Sequence, residues 1–286
     1  MMIIDAHTHI LSREMIVARE DYRSVDRWFG ALYASPRARL ATGEDLIASM
    51  DRAGIEASVA FGFAFASSEL CHRCNDYVLE CAARWPGRII PFAVVSPMDS
   101  EVACIEAERC LAGGALGIGE LMPDGQAIDL QSDRLAPLLQ VAQSHSVPLM
   151  LHANELVGHS YPGKGHTGPE AAYAFAADHP GLRLILSHWG GGLAFYELMT
   201  STRTALANVW YDTAASTLLY DDRVFSHVMA WAPDKVLFGT DYPLLTQRRF
   251  LQRVLALGLE DTQRSALFSA NLLRTLGHPD DRVPGR

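Results

Sequence analysis

Short apolar segments alternate with longer amphipathic segments along almost the whole chain. The short segments have roughly the five to eight residues of buried parallel strands, and the longer ones have the 3.6-residue periodicity of helices. Eight such pairs are present, with strands predicted at residues 3–6, 57–61, 89–94, 116–119, 148–151, 183–187, 209–212 and 235–239. Eight repeats of strand and helix close most economically into a parallel barrel. The pattern therefore predicts an α/β protein with a (β/α)8 TIM-barrel fold, with a doubly wound open sheet as the alternative.

Helices are predicted after these strands, at residues 44–53, 69–85, 100–111, 132–144, 169–178, 193–205, 222–231 and 246–257. A further C-terminal helix, at 260–276, is expected to pack on the barrel. The residues after it are mostly polar, and we expect them to fray. We predict that residues 1–286 form a single domain, because a chain of this length can bury one large core.

Two segments that follow strands are longer than ordinary βα loops. The first, residues 10–43, contains several arginine and aromatic side chains, and we interpret this insertion as a lid over the mouth of the barrel. The second, residues 153–168, is rich in glycine, histidine and tyrosine. Both segments follow the C-terminal end of a strand, which is where barrel enzymes hold their active sites.

The composition indicates which partners and which cellular compartment to expect. The net charge of -9 disfavours nucleic acid and anionic membrane surfaces, which attract clustered lysine and arginine, so we expect a small-molecule substrate. The chain has neither an apolar stretch of the ~20 residues that span a bilayer nor a leader pattern, so we expect a cytoplasmic protein. Five cysteines, an odd number, favour reduced thiols. A homodimer is compatible with the sequence.

Polar side chains that bind metals follow the predicted strands at their C-terminal ends. They are His7, His9, Glu120, His152, His188 and Asp241. Side chains two residues apart on a strand point to the same face, so the imidazoles of His7 and His9 can reach one cation. Burying so many titratable groups without a partner would cost several kcal/mol each. The pattern predicts one or two divalent metal ions, with Zn²⁺ the best match and Mn²⁺, Fe²⁺, Co²⁺ or Ni²⁺ as alternatives.

Five short motifs, in order along the chain, resemble the amidohydrolase superfamily. They are DAHTH at 5–9, GE at 119–120, LHANE at 151–155, LSHWGG at 186–191 and FGTDYP at 238–243. Within the superfamily the chain is similar to the amidohydrolase 2 branch, which includes the aminocarboxymuconate semialdehyde decarboxylase-like enzymes. The segment ANLLR at 270–274 resembles the closing helix of that branch. The resemblance covers nearly the whole chain, and its motifs identify the superfamily but not the reaction.

The resemblance implies a role for each strand-end residue. His7, His9 and Asp241 would bind the metal, and His152 would be a further ligand. His188 would be either a ligand of a second metal or an uncoordinated acid/base. Glu120 is a departure, because some members carry a carboxylated lysine at the end of strand four. A glutamate there can bind one metal, bridge two, or contact a ligand histidine as a supporting group.

Three functions are compatible with these residues. We expect hydrolysis of a small lactone, amide or related carbonyl compound, in which Asp241 accepts the proton of a metal-activated water and His188 polarises the carbonyl. The alternative is a non-oxidative decarboxylase or hydratase acting on an aromatic or unsaturated carboxylic acid. A metal-free binding barrel is the third. Asp241 as a helix cap and His188 as an ordinary buried histidine are the corresponding structural interpretations.

Candidate substrate-binding residues lie on the two long segments and beside the ligands. Those on the segments are Arg13 in the lid and Tyr161, Lys164 and His166 after strand five, with Tyr22, Trp28 and His159 as further candidates. Trp189 and Tyr242 each follow a predicted ligand directly. Cationic and imidazole groups on such loops could hold a substrate carboxylate or phosphate, or could be solvated surface.

Overall fold

Eight parallel strands form the centre of the computed structural model, which describes residues 1–278. The strands are β1 (Ile4–His9), β2 (Ala57–Phe61), β3 (Ile89–Pro91), β4 (Ile118–Leu121), β5 (Leu149–Leu151), β6 (Leu184–Leu186), β7 (Val209–Asp212) and β8 (Val236–Leu237). They pair in sequence order as β1 to β3 and β4 to β8. Bridges from Ala93 to Ile118 and from Thr8 to Tyr242 join the two sets and close the ring. The predicted (β/α)8 barrel is confirmed, and the open sheet is excluded.

Helices surround the strands, with several short ones added at the barrel mouth. They are α1 (Arg13–Val17), α2 (Arg19–Val25), α3 (Arg27–Leu32), α4 (Gly43–Ala53), α5 (Ser68–Arg84), α6 (Ser100–Ala112), α7 (Ala136–Ser144), α8 (Pro169–Asp178), α9 (Thr200–Ala205), α10 (Ser216–Leu219), α11 (Arg223–Trp231), α12 (Gln247–Leu255), α13 (Asp261–Ser265) and α14 (Asn271–Thr275). Local signals set several ends. For example, Thr42 and Asp45 form a capping box at the start of α4, and Gly54 ends it in the left-handed conformation.

Several sequence-based boundaries differ from the structure by a few residues, and two helices differ more. In place of the helix predicted at 193–205, 3-10 turns form His188–Leu198 and the short α9 follows; residues 189–192, near the start of these turns, have positive φ angles that an α-helix does not contain. The C-terminal helix predicted at 260–276 is present, but a π-helical turn, Ala266–Ala270, separates α13 from α14. The terminal residues expected to fray, 279–286, lie outside the described part of the chain.

Two apolar layers make up the core. Alternate residues of the strands, such as Val59, Met150 and Ile185, fill the barrel interior. The other face of the strands packs against the helices. The pairing register shifts between Asp5 and Thr8 in β1, and between Ile118 and Leu121 in β4. Such irregularities re-aim side chains, and these two lie in the strands that carry the predicted ligands His7, His9 and Glu120.

The segment 10–43 forms α1 to α3 and a following loop. Phe29 of α3 packs against Phe63, Phe65 and Tyr33, with ring centroids 4.5–5.2 Å apart. Asp26 caps α3 and also accepts a hydrogen bond from the backbone N–H of Ala66. The segment is therefore fixed to the loop after β2 by an aromatic cluster and by one buried carboxylate.

None of the helices within residues 1–278 has the length and apolar character that crossing a bilayer requires.

Candidate metal centre

The six predicted ligands converge at the C-terminal end of the barrel. They form two groups, one of His7, His9 and Asp241, and one of Glu120, His152 and His188. In each group the ligand atoms lie within 4.8 Å of one another. These residues come from the ends of five strands, so barrel closure brings them together from positions 7 to 241.

Each of the four histidines has one ring nitrogen facing a hydrogen-bond acceptor and the other facing the centre of the candidate metal site. The outer nitrogens are paired, in order, as His7 Nδ1 to Asp212 Oδ2 at 2.9 Å, His9 Nδ1 to Gly62 O at 3.3 Å, His152 Nε2 to Asn154 Oδ1 at 3.4 Å and His188 Nδ1 to Ala214 O at 3.1 Å. An outer nitrogen that donates its proton leaves a lone pair on the inner one. When all four outer nitrogens donate, the inner lone pairs face one space, which a cation or a proton can occupy.

The spacing of the first group suits a first-row cation. His7 Nε2 lies 3.2 Å from His9 Nε2, and Asp241 Oδ1 lies 3.8 and 3.5 Å from those two nitrogens. Ligand atoms about 2.1 Å from a common centre in tetrahedral geometry are about 3.4 Å apart. The observed distances lie on both sides of this value, so the residues present fit a divalent ion.

Glu120 lies between the two groups. Its Oε2 is 3.7 Å from His7 Nε2 and 3.8 Å from His9 Nε2. Its Oε1 is 3.1 Å from His152 Nδ1 and 3.7 Å from His188 Nε2. The Glu120 side chain is only 1% exposed. Each carboxylate oxygen thus faces a different group, which is the arrangement of a carboxylate that bridges two cations or supports one.

The pKa values of Glu120 and Asp241 are lowered, and those of His7 and His152 are raised. Burial would raise the pKa of Glu120, but His7 and His152 hold it well below its usual range. Burial would also raise the pKa of Asp241, yet the neighbouring histidines lower it to about 2. The pKa of His7 is raised to about 10, because Asp212 and Glu120 outweigh the effect of burial. The centre therefore favours positive charge, as a cation site does.

Asp212 belongs to the candidate centre but was not among the residues predicted from the sequence. It ends β7, is fully buried, and accepts a hydrogen bond from His7 through Oδ2. Its Oδ1 accepts hydrogen bonds from the backbone N–H groups of His188 and Ala214, both at 3.0 Å. One carboxylate thus orients a ligand from each group. The signal was present, since an aspartate at a strand end follows the rule that identified the other six.

His188 and Asp241 both have strained backbones. Their φ angles are 56° and 62°, in the left-handed region that non-glycine residues seldom adopt. Contacts of the surrounding barrel, including the Asp212 hydrogen bond to His188 N, hold this geometry. Strain of this kind concentrates at functional sites, where it places side chains.

A cavity of about 430 Å³ opens above the six residues. Its walls are mainly apolar and include Trp28, Leu32, Tyr33, Phe63, Met122, Leu218 and Leu219. Arg39, His159 and Tyr161 add polar groups toward the rim, and five of the six candidate ligands form the floor. The size and the lining are those of a site for a small molecule with an apolar body.

The candidate substrate-binding residues are distributed unequally. Tyr161, Trp28 and His159 line this cavity. The other named candidates, Arg13, Tyr22, Lys164, His166, Trp189 and Tyr242, lie outside the described cavity wall. Periodicity gave no side-chain direction on these loops, which is also why the wall residues Leu32, Tyr33, Arg39 and Met122 were missed.

The six candidates outside the cavity wall have other contacts or are exposed. Trp189 is buried and donates its indole N–H to Ser216. Tyr242 packs against the main core. Lys164 donates to the carbonyl oxygens of Val157 and His159. Tyr22 is buried in the aromatic cluster, and Arg13 and His166 are exposed.

Comparison with known proteins identifies relatives of this chain. The chain is 26% identical over 259 residues to the gamma-resorcylate decarboxylase of Polaromonas sp. (strain JS666 / ATCC BAA-500), which covers 72% of this chain and 79% of that protein. The gamma-resorcylate decarboxylase of Rhodococcus jostii (strain RHA1) is 30% identical over 218 residues, covering 61% of this chain and 66% of that protein. This chain therefore spans about two thirds of the length of the second relative.

A solved structure shares the fold. The 5-carboxyvanillate decarboxylase of Novosphingobium aromaticivorans DSM 12444, in complex with manganese and 4-hydroxy-3-methoxy-5-nitrobenzoic acid, superposes with a TM-score of 0.78 at 17% identity, covering 96% of each chain. The sequence model of the amidohydrolase family that corresponds to the predicted branch matches residues 4–277, nearly the full length. The chain therefore belongs to the amidohydrolase family.

Proposed function

We propose that this protein is a metal-dependent, non-oxidative decarboxylase of a small hydroxylated aromatic carboxylic acid. The observation that carries the proposal is the similarity to gamma-resorcylate decarboxylases over most of the chain. This reverses the order of our sequence-based expectations, in which hydrolysis came first and decarboxylation second. The motifs alone were common to both reactions, so they did not separate them.

The shape and polarity of the cavity support such a substrate. Aromatic and aliphatic side chains, among them Trp28, Tyr33 and Phe63, surround a space that accommodates one substituted ring. The charged groups are concentrated on the floor, where the carboxylate of the acid would be recognised. An apolar wall opposite a charged floor orients an aromatic acid with its carboxylate toward the candidate metal centre.

His7, His9, Asp241 and Glu120 would hold a divalent cation, with His152 and His188 as further ligands of one ion or as ligands of a second. When bound, such a cation supplies Lewis acidity and balances the negative charge of the carboxylate and of a ring hydroxyl. Manganese accompanies the structurally similar enzyme, and the donor set of imidazoles and carboxylates accepts Mn²⁺ as well as the Zn²⁺ expected from the sequence.

Decarboxylation requires one proton at the ring carbon that bears the carboxylate. As that carbon gains the proton, its bond to the carboxylate breaks, the electron pair returns to the ring, and CO2 leaves. Asp241 lines the cavity and is the group we assign to hand over this proton. Its pKa is low in the free site, and the negative charge of a bound substrate would raise its affinity for a proton. His188, also in the cavity floor, would bind and orient the acid.

Hydrolysis of a lactone or amide is the second candidate, and the position of Glu120 favours it. A carboxylate with one oxygen toward each group suits two cations, an arrangement common in metallohydrolases. An ionised Asp241 is also suited to accept a proton from water. The two reactions therefore use the same residues with opposite directions of proton transfer.

The deciding experiment compares the two substrate classes on one preparation. Protein loaded separately with Mn²⁺ and with Zn²⁺ is incubated with carboxyl-¹³C-labelled hydroxybenzoates and with a set of lactones and amides. We expect labelled CO2 from at least one hydroxybenzoate, abolished by Asp241→Asn and unchanged by Asp221→Asn, an exposed aspartate paired with Arg223. Ring opening of a lactone without CO2 release from any acid would overturn decarboxylation in favour of hydrolysis.

A further inference from the structure

A second cavity, of about 280 Å³, adjoins the candidate active site. We call it the arginine groove, because Arg39, Arg249 and Arg253 line it. Its remaining wall includes the hydroxyl-bearing Thr217 and Thr246 and the side chain of Phe250, which is 3% exposed. The groove thus combines an apolar base with guanidinium groups, an unusual local composition in a chain whose net charge is -9.

The arginine groove shares two wall residues with the active-site cavity. Arg39 and Leu244 line both spaces. Arg39 comes from the loop before α4 and reaches across to α12, where its Nη1 donates to Thr246 Oγ1 at 3.2 Å. The shared residues place the groove beside the active-site cavity, so a substrate arm that passed Arg39 and Leu244 would reach it.

All three arginines are exposed, and within residues 1–278 no ion pair joins Arg39 or Arg249 to a carboxylate. Arg253 forms an ion pair with Asp222 at the edge of the groove. Arg39 has the hydroxyl of Thr246 as its hydrogen-bond acceptor, and Arg249 has no hydrogen bond or ion pair in the part of the chain that the structure describes. Unbalanced guanidinium groups that share a pocket are suited to bind an anion, and their planar fork matches a carboxylate.

We propose that the arginine groove binds a second anionic group of the substrate, joined to the reacting ring by an apolar arm. This inference rests on the proposed function and adds to it a substrate class: aromatic acids that carry a distal carboxylate or comparable anion. The arm would lie on Leu244 and Phe250, and the distal anion would meet Arg249 with Arg39 beside it.

The test uses the Mn²⁺-loaded protein and a series of hydroxybenzoates with carboxyalkyl arms of increasing length. Each compound is paired with the methyl ester of its arm carboxylate, which lacks the distal charge. Binding is measured by calorimetry, which needs no turnover. We expect one arm length to bind about tenfold or more tightly than its ester, as a charge-assisted contact provides. Arg249→Gln should remove that difference without changing the affinity of the ester. Arg248→Gln, an exposed neighbour outside the groove wall, should change neither.

Equal affinity of acid and ester at every arm length would overturn the proposal, and so would an equal loss in Arg248→Gln. Inorganic phosphate is the further probe. If it binds with the same dependence on Arg249 but does not compete with the long-armed acid, the groove holds a separate anion and not the substrate arm. Failure to release CO2 from any acid would contradict the proposed decarboxylation, while the calorimetric difference would still decide the role of the groove.

Discussion

At the scale of single residues, the candidate chemistry depends on how the outer nitrogens of the four histidines are fixed. Asp212 holds His7 through a side-chain hydrogen bond and His188 through a backbone one. Supporting carboxylates of this kind set the tautomer and orientation of a ligand histidine. The six candidate ligands could be selected from the sequence because each lies at or just after the C-terminal end of an apolar strand, whereas the partners that orient them depend on three-dimensional packing.

Replacing Asp212 tests this orienting role. In Asp212→Asn the amide NH2 can donate to His7 Nδ1. The ring proton then lies on Nε2, and the lone pair of that nitrogen no longer faces the centre. We expect metal affinity to fall about 10- to 100-fold, measured by competition with a chelator. Asp221→Asn is the control, because Asp221 is exposed and pairs only with Arg223 in the described chain. Equal metal affinity in the two variants would refute the role.

Replacing His188 tests whether this residue is a metal ligand or an uncoordinated acid/base. We predict that His188→Asn retains its metal while turnover falls by about 100-fold or more, because the substrate loses a binding and orienting group. Elemental analysis measures the metal content, and steady-state kinetics measures turnover. The loss of one equivalent of metal would instead show that His188 Nε2 is a ligand, as its position 3.1 Å from His152 Nδ1 allows.

At the scale of elements, α3 of segment 10–43 lines the cavity and makes close contacts with two loops. A Cβ on Gly125 would lie 2.7 Å from the Trp28 ring, and one on Gly163 would lie 2.2 Å from a methyl group of Leu32. Trp28 and Leu32 belong to α3 and line the cavity. The sequence indicated a lid from its length and aromatic content, but it could not show that small residues elsewhere make room for it.

Comparing alanine substitutions at Gly163 and Gly158 tests the contact between Gly163 and Leu32. Both have positive φ angles, 83° and 101°, so alanine strains the backbone at either position. Only the Cβ of Gly163→Ala would collide with Leu32, whereas Gly158 has nothing within 4 Å. We expect Gly163→Ala to raise KM about fivefold relative to Gly158→Ala, because Leu32 must move into the cavity. Indistinguishable KM values would mean that the loop and α3 do not control access together.

At the scale of the whole molecule, the barrel fold was predictable because eight alternations of apolar strand and amphipathic helix leave few other solutions. The reaction was not, since one barrel hosts many chemistries through its loops. Wall residues of the cavity, such as Tyr33, Arg39 and Leu218, lie on segments that follow the strands, and strand periodicity does not encode their side-chain directions.

The outer ring of the barrel contains a buried ionic network that controls stability in acid. Glu106 of α6 accepts hydrogen bonds from Arg109 and from Asn75 of α5, which also bonds both backbone groups of Val94. Burial would raise the pKa of Glu106, but these donors and His72 lower it to about 2. The network ties α5 and α6 to the chain beyond β3.

This shift predicts how stability depends on pH. Because the pKa of Glu106 is lower folded than unfolded, its contribution is complete above about pH 4.5 and is lost as pH falls toward 2. Glu106→Gln should lower the free energy of unfolding at pH 7 by about 2–3 kcal/mol, and by less at pH 3. Urea unfolding at both pH values measures this. Glu108→Gln, whose partner is the exposed His145, is the control. A loss that does not shrink at pH 3 would contradict the assignment.

The account depends above all on a divalent cation within the ring of four histidines and two carboxylates. Anomalous scattering at the manganese edge, from crystals grown with Mn²⁺, locates such an ion directly. We predict a strong peak at coordination distance from His7 Nε2, His9 Nε2 and Asp241 Oδ1. A stoichiometrically loaded crystal with its only peak outside these six residues, or with no peak at all, would contradict the central claim.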